Sequence, residues 1–273
     1  MLKTEIESID MKYFDSHAHY YDDRFTEEIE GGAESIIGAL LSSDVSYIIN
    51  VGTNPENCRD AIAQAKKFDN MYTVLGIHPS DCQYVECDME CALADIRALI
   101  SERENKCVAL GEIGLDYHYP DTDKEKQMRY FEAQMQMAEE LGLSVVIHDR
   151  EAHEDVLSVM KKYPRVKGVL HSFSGSAEMA KEVIKLGYLI SFSGTLTFTN
   201  AKKPKEVAEI IPIEKILIET DAPYLAPHPK RGSLNHSGNL LYTNAMLAGI
   251  KGISEVECAE ITEKNAKKFF AID

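Results

Sequence analysis

Short, nearly continuous apolar runs recur along the chain. Each is followed by a longer stretch in which apolar residues return every three or four positions. Tyr47-Ile48-Ile49-Asn50-Val51-Gly52 and Lys215-Ile216-Leu217-Ile218-Glu219-Thr220 are the clearest of the runs. Parallel strands covered on both faces read this way. The pattern predicts strands ending at His17, Gly52, His78, Glu112, His148, His171, Ser193 and Asp221.

The intervening stretches predict helices. Asn54-Pro55 has the form of an N-cap followed by proline in the first helical position, opening a helix toward Phe68. Between Lys124 and Leu141, the residues Met128, Phe131, Met135, Ala138 and Leu141 form one apolar stripe. That stripe is a packing face rather than a cofactor site. Further helices are expected over Glu178–Leu186, Pro204–Ile211 and Ser254–Phe270.

Strand–helix units in strict alternation predict an α/β fold, a single (β/α)8 TIM barrel. A doubly wound open sheet is the alternative. The barrel is preferred because chemically useful residues sit at strand ends both early and late in the chain, and a barrel gathers those ends on one face. The length of 273 residues suits one such domain of about 250 residues, with residues 1–11 as an N-terminal extension.

Composition narrows the partners. The formal charge of −16 argues against a surface that holds nucleic acid by bulk electrostatics, although a local pocket for a few phosphates is compatible with it. No apolar stretch reaches the roughly 18 residues of a membrane span, and the first ten residues lack the pattern of a signal peptide. The expectation is a cytoplasmic protein with no membrane partner and no obligate protein partner. Cys58, Cys82, Cys87, Cys91, Cys107 and Cys258 contain no Cys-x-x-Cys pair and are expected as free thiols. Cys82, Cys87 and Cys91 are close enough in sequence to raise a surface zinc site as a minor alternative.

The candidate chemistry lies at the strand ends. Tyr13-Phe14-Asp15-Ser16-His17-Ala18-His19 reads as a strand finishing in two histidines one residue apart, which project from the same face. The fourth strand ends in Glu112, the fifth in His148, the sixth in His171 and the eighth in Asp221. One such residue is ordinarily a polar group leaving the core. Together they supply four imidazoles and two carboxylates to one rim, a set suited to two divalent ions. His17, His19 and Asp221 are candidates for one ion, His148 and His171 for the other, and Glu112 for a bridge. The N/O donors fit zinc or manganese, and magnesium less well. Paired ions activate water and polarise a phosphoryl or carbonyl oxygen. Asp221 has a second candidate role, taking the proton from the attacking water.

Six motifs carry a family resemblance: Asp15-Ser16-His17-Ala18-His19, Gly76-Ile77-His78-Pro79, Gly111-Glu112-Ile113-Gly114-Leu115-Asp116-Tyr117, Ile147-His148-Asp149-Arg150, His171-Ser172-Phe173-Ser174-Gly175 and Glu219-Thr220-Asp221-Ala222-Pro223-Tyr224-Leu225. In this order they resemble the TatD family of metal-dependent deoxyribonucleases, within the amidohydrolase superfamily. The resemblance covers nearly the whole chain. It implies His17, His19, Glu112, His148, His171 and Asp221 as metal ligands. It also implies hydrolysis of DNA phosphodiesters, often from a single-stranded 3′ end, and a substrate contact for His78. One departure concerns the loop Arg231-Gly232-Ser233-Leu234-Asn235-His236-Ser237, which keeps the family's Arg-Gly and Asn but not the following acid and proline. That puts substrate preference, not the metal site, in question.

Arg150 and Arg231 are candidate phosphate contacts, since a guanidinium forks onto phosphate oxygens. Lys202, Lys203, Lys205 and Lys230 are expected on the same rim, and His118, His228 and His236 in loops near it. His153 is expected in solvent. Asp15 is expected to share the inward face with His17 and to orient a ligand. The leading expectation is a dinuclear phosphodiesterase acting on a DNA end, with Glu112 and Asp221 as catalytic residues. An enzyme hydrolysing a small ester, lactone or amide is the runner-up, and a non-catalytic metal scaffold is the third reading.

Overall fold

The computed structural model describes residues 11–85 and 87–273, so most of the expected N-terminal extension lies outside the described residues. Eight strands follow one another in a single sheet in chain order, every neighbouring pair parallel. They are β1 (Tyr13–Ala18), β2 (Val45–Gly52), β3 (Met71–Leu75), β4 (Cys107–Asp116), β5 (Val145–Arg150), β6 (Gly168–Leu170), β7 (Leu189–Phe192) and β8 (Ile216–Ile218). The sheet curls into a nearly closed barrel. Its seam is drawn together just beyond β8, where Ala222 bridges Ala18 in parallel. There the Asp221 amide donates to the His17 carbonyl at 2.9 Å, and the His19 amide to the Ala222 carbonyl at 2.7 Å.

The helices are α1 (Arg24–Glu28), α2 (Gly32–Leu41), α3 (Pro55–Ala65), α4 (Met89–Ser101), α5 (Lys124–Leu141), α6 (His153–Lys162), α7 (Ala177–Lys185), α8 (Lys202–Ile210), α9 (Leu240–Lys251) and α10 (Glu255–Phe270). Their starts follow from local chemistry. Asn54 Oδ1 accepts the amides of Glu56 and Asn57 ahead of Pro55, Asp123 caps α5 and Ser254 caps α10. Gly142 ends α5 at φ 66°, a left-handed position that glycine adopts without a Cβ clash. None of the described helices is long and apolar enough to cross a membrane.

Two apolar layers hold the strands. Phe14, Val51, Val74, Ala109, Val146, Val169 and Leu217 touch one another from different strands, which only the barrel interior allows, and Phe270 of α10 packs against them. Outside, Leu110, Ile113, Ile147, Leu170 and Ile216 pack against helix residues such as Phe131, Val156 and Val183. The stripe of α5 is part of this layer: Phe131, Met135 and Ala138 are buried, with Met128 and Leu141 packed against them.

Irregularities in β1 and β4 aim the site. A register shift lies between Asp15 and Ala18, another between Leu110 and Ile113. Each changes the parity of the strand. Phe14 and Ala109 therefore fill the apolar interior, while His17 and Glu112, each three residues further on, also point inward and meet at 3.3 Å. Several expected strand ends shift as well. β3 stops at Leu75 and β8 at Ile218, so His78 and Asp221 stand three residues beyond their strands; β4 runs past Glu112 to Asp116.

Candidate metal centre

The six residues singled out at the strand ends are brought together at the C-terminal mouth of the barrel, in two groups that share Glu112. In the first group His17 Nε2 lies 3.3 Å from Glu112 Oε2 and 3.8 Å from Asp221 Oδ1. His19 Nε2 lies 3.7 Å from Glu112 Oε2, 3.4 Å from Asp221 Oδ1 and 3.1 Å from His17 Nε2. An ion with bonds of about 2.0–2.2 Å holds tetrahedral ligands about 3.3–3.6 Å apart. His17, His19 and Glu112 therefore have the spacing of a ligand set, with Asp221 Oδ1 within 3.8 Å of both imidazoles. His17 is fully buried, its Nδ1 has no partner among the described residues, and burial followed by neighbouring His171 lowers its pKa. Its Nε2 faces another imidazole nitrogen at 3.1 Å, an arrangement that a cation satisfies.

In the second group Glu112 Oε1 lies 2.7 Å from both His148 Nδ1 and His171 Nε2, which are 3.1 Å from each other. These edges have hydrogen-bond lengths, shorter than those between the ligands of a tetrahedral ion. Burial opposes charge on His148 and His171, yet the surrounding carboxylates outweigh it: both pKa values are raised, that of His171 well above its usual value. Glu112 is correspondingly held well below the usual carboxylate range, against its own burial, by His171, His78 and His17. Imidazole nitrogens and a shared carboxylate are the donors a divalent ion takes. The donor set fits a metal in both groups.

Behind the ligands stands a layer of hydrogen bonds. His19 Nδ1 meets the Val51 carbonyl at 2.7 Å. Asp116 Oδ2 lies 3.2 Å from His148 Nε2. Glu219, 1% exposed, sits 3.3 Å from His171 Nδ1 while accepting the Ser172 amide at 2.7 Å and the Ser191 hydroxyl at 2.5 Å. Carboxylates in this position fix the ring and raise its basicity. Sequence reasoning assigned no role to Asp116 or Glu219. Spacing offered a signal: Asp116 is four residues from Glu112 on one strand, and Glu219 two from Asp221. Glu219→Gln is expected to keep the fold and weaken divalent-metal affinity about 10–100-fold, measured by competition with a chromogenic chelator. Unchanged affinity would remove Glu219 from any such role.

Asp15 is placed differently from expectation. It is fully buried, but its carboxylate takes the Thr220 amide at 3.0 Å and the Thr220 hydroxyl at 2.6 Å rather than a ligand ring. The register shift in β1 turns it to the seam, where it fixes the backbone next to Asp221. Desolvation raises its pKa to about 6. Asn235, retained in the departing loop, is also a backbone brace: its Nδ2 donates to the carbonyls of Thr220 and Tyr224 at 2.9 and 2.7 Å. Buried Gln134 and Gln127 of α5 brace the chain beside two further site residues, at Ile77 next to His78 and at Asp116.

The two groups open into a cleft of about 460 Å³ lined by His19, His78, Glu112, Asp116, His148, Arg150, His171 and Asp221, with Tyr21, Asp22, Thr53, Asn57, Ser80, Asp81, Tyr119 and Tyr224 around them. His78 Nε2 is 3.4 Å from Glu112 Oε1, and Arg150 Nη1 is 4.0 Å from Asp116 Oδ2. Arg231 is not among the lining residues; its guanidinium lies 3.8 Å from the Phe198 ring centre. Lys202, Lys203 and Lys205 begin α8 rather than line the cleft, and His228, Lys230 and His236 line other cavities. His118 pairs with Glu151 at 2.7 Å, and His153 with Asp149 at 2.8 Å. All six cysteines are free; Cys82 is buried, and no described metal-ligand cluster includes it.

Comparison with known proteins agrees with this geometry. The family model described as TatD related DNase matches residues 14–271. The uncharacterized metal-dependent hydrolase YabD of Bacillus subtilis (strain 168) is 38% identical over 263 residues, covering 95% of this chain and 99% of YabD. YcfH of Escherichia coli (strain K12), named in the same way, is 34% identical over 264 residues, covering 95% and 96%. The crystal structure of YjjV, a TatD homologue from Escherichia coli K12, superposes with a TM-score of 0.85 at 29% identity, covering 96% of this chain and 98% of that one. With a family match across almost its whole length and a barrel that converges histidines and carboxylates at one mouth, the chain belongs to the TatD family of metal-dependent hydrolases.

Proposed function

We propose that the protein is a phosphodiesterase that removes nucleotides from the 3′ end of single-stranded DNA, using two divalent ions, zinc, manganese or magnesium. The observation that carries this reading is the division of Glu112, with Oε2 in one group and Oε1 in the other. The ligands are His17, His19 and Asp221 on one side and His148 and His171 on the other, with Glu112 common to both. The family model's description as a DNase supports the substrate class.

The ions, when bound, would supply an activated water and Lewis acidity toward the phosphate. The chain's own residues do the rest. Asp221 Oδ1 stands at the mouth, its side chain 15% exposed, where it accepts the proton of the attacking water. Its pKa is lowered despite burial, by His19 first and then by His171 and His17, so it begins ionised and able to accept. Arg150, nearly half exposed, reaches over the cleft and forks onto the non-bridging phosphate oxygens. His78, packed edge-on against His148, donates to the same phosphate.

The test combines metal analysis with strands labelled at either end. Chelation should abolish cleavage, and zinc or manganese should restore it. Label at the 3′ end should be released first. Arg150 is the only Lys or Arg among the described residues lining the cleft, so few phosphates are neutralised. About two contacts on a single strand give a log–log salt slope near −1.4, at about −0.7 each. A slope near −6 would contradict end recognition. Turnover of a lactone or ester, with no cleavage of any strand under any metal, would assign the site to carbonyl chemistry.

A further inference from the structure

We propose that Tyr119 and Tyr224 are stacking platforms for the two nucleobases that flank the phosphate held in the cleft. This deepens the nucleic-acid reading above and rests on it. Both rings line the cleft and are among the large hydrophobic side chains left exposed, Tyr119 at 54% and Tyr224 at 47%. They stand at opposite ends of the ligand cluster. The Tyr224 ring centre is 6.2 Å from that of His19, in the first group. Tyr119 lies 5.5 Å from the Arg150 guanidinium, and Arg150 is beside Asp116, which holds His148 in the second group.

The Tyr224 ring is not a loose surface side chain. The Tyr224 hydroxyl donates to Asp22 Oδ2 at 2.8 Å, and the Arg24 guanidinium, itself paired with Asp22, lies 4.4 Å from the ring centre. The Tyr119 ring stands edge-on to His118 at 5.1 Å. Tyr224, held by Asp22 and Arg24, presents its ring at little entropic cost, and Tyr119 is flanked by His118 and Arg150. Burial alone would not account for the position of either.

The charge of the cleft decides what such faces are for. Asp22, Asp81, Glu112, Asp116 and Asp221 line it, against one arginine. The net charge is −16. A strand approaching this mouth gains little from phosphate electrostatics beyond the site itself. Affinity has to come from the bases. Stacking supplies it without reading sequence, because every base has a π face.

The experiment measures kcat/KM on a 3′-labelled single strand and on the same strand with its two 3′-terminal bases replaced by abasic residues. The proteins are the parent, Tyr119→Ala, Tyr224→Ala and the two Phe variants, all loaded with the same metal. On the normal strand each Ala variant should lose roughly 5- to 150-fold, chiefly through KM, as expected for the loss of one stacked base. The parent should lose about the product of the two single-variant losses on the abasic strand, where both bases are gone, and the Ala variants should differ little from the parent there. Metal content should not change, and Phe should recover most of what Ala loses. Equal losses on both strands, or none on either, would overturn the stacking role while leaving the nuclease reading intact. Failure of the parent to cleave any strand would overturn the nuclease reading and this inference with it.

Discussion

Asp221→Asn is expected to retain the barrel and most of its metal while losing about 10²–10⁴ in turnover, the range for removal of a general acid–base group. Asparagine is the informative replacement for a reason of backbone geometry. Asp221 sits at φ 58°, a left-handed conformation that Asn tolerates and most residues do not. Alanine there would mix a backbone penalty with the chemical one. The amide oxygen of the variant still offers a lone pair to an ion but has almost no basicity toward a proton. Steady-state rates at saturating metal, with metal content measured on the same sample, check the prediction. Turnover within about threefold of the parent would deprive Asp221 of its role as proton acceptor.

The second large effect is expected from Glu112→Gln. Glu112 is 3% exposed and faces four imidazoles. It is the one side chain common to both groups. Replacing its charge by an amide leaves an NH₂ pointed at one group, so one ion per chain should be lost. A Lewis-acidic ion contributes several kcal/mol to charge stabilisation, so turnover should fall on the order of a thousandfold or more. Titration with metal should show one site where the parent shows two. Two tight sites and near-parent activity in the variant would contradict the bridging assignment.

Much of this was legible because the barrel turns sequence order into spatial order. Parallel strands announce themselves as apolar runs, and the residue that ends each run lands on the common mouth. His17 and His19 could be read by parity, although the irregularity in β1 falls in the interval from Asp15 to Ala18. The same irregularity hid the position of Asp15: counting back by two from His17 placed it inside, whereas the shift sends it to the seam. Asp116 and Glu219 went unassigned because a carboxylate that supports a ligand has no signature of its own; it is defined by the imidazole it meets, contributed by another strand. Arg231 is a different case. Its place in the loop after β8 suggests the rim, and its guanidinium lies over the Phe198 ring of the loop after β7, a contact between two loops that the spacing of neither encodes.

The seam between β1 and β8 carries a consequence for how the molecule is assembled. His17, His19 and Asp221 supply the candidate ligands, and the backbone groups of the same three residues make the bonds that draw the first and last strands together. The centre therefore works as a clasp as well as a reaction site. Until the segment around Asp221 has left the ribosome, His17 and His19 have no partner across the gap and Glu112 has only part of its surroundings. The centre is complete only once both ends of the sheet are present to close it. An ion that engages both sides of the gap binds the closed form and not the open one. Occupancy then adds stability in proportion to the logarithm of free metal, about 4 kcal/mol at a thousand times the dissociation constant. Metal supply would thus govern how firmly the barrel stays shut, as well as whether it can act.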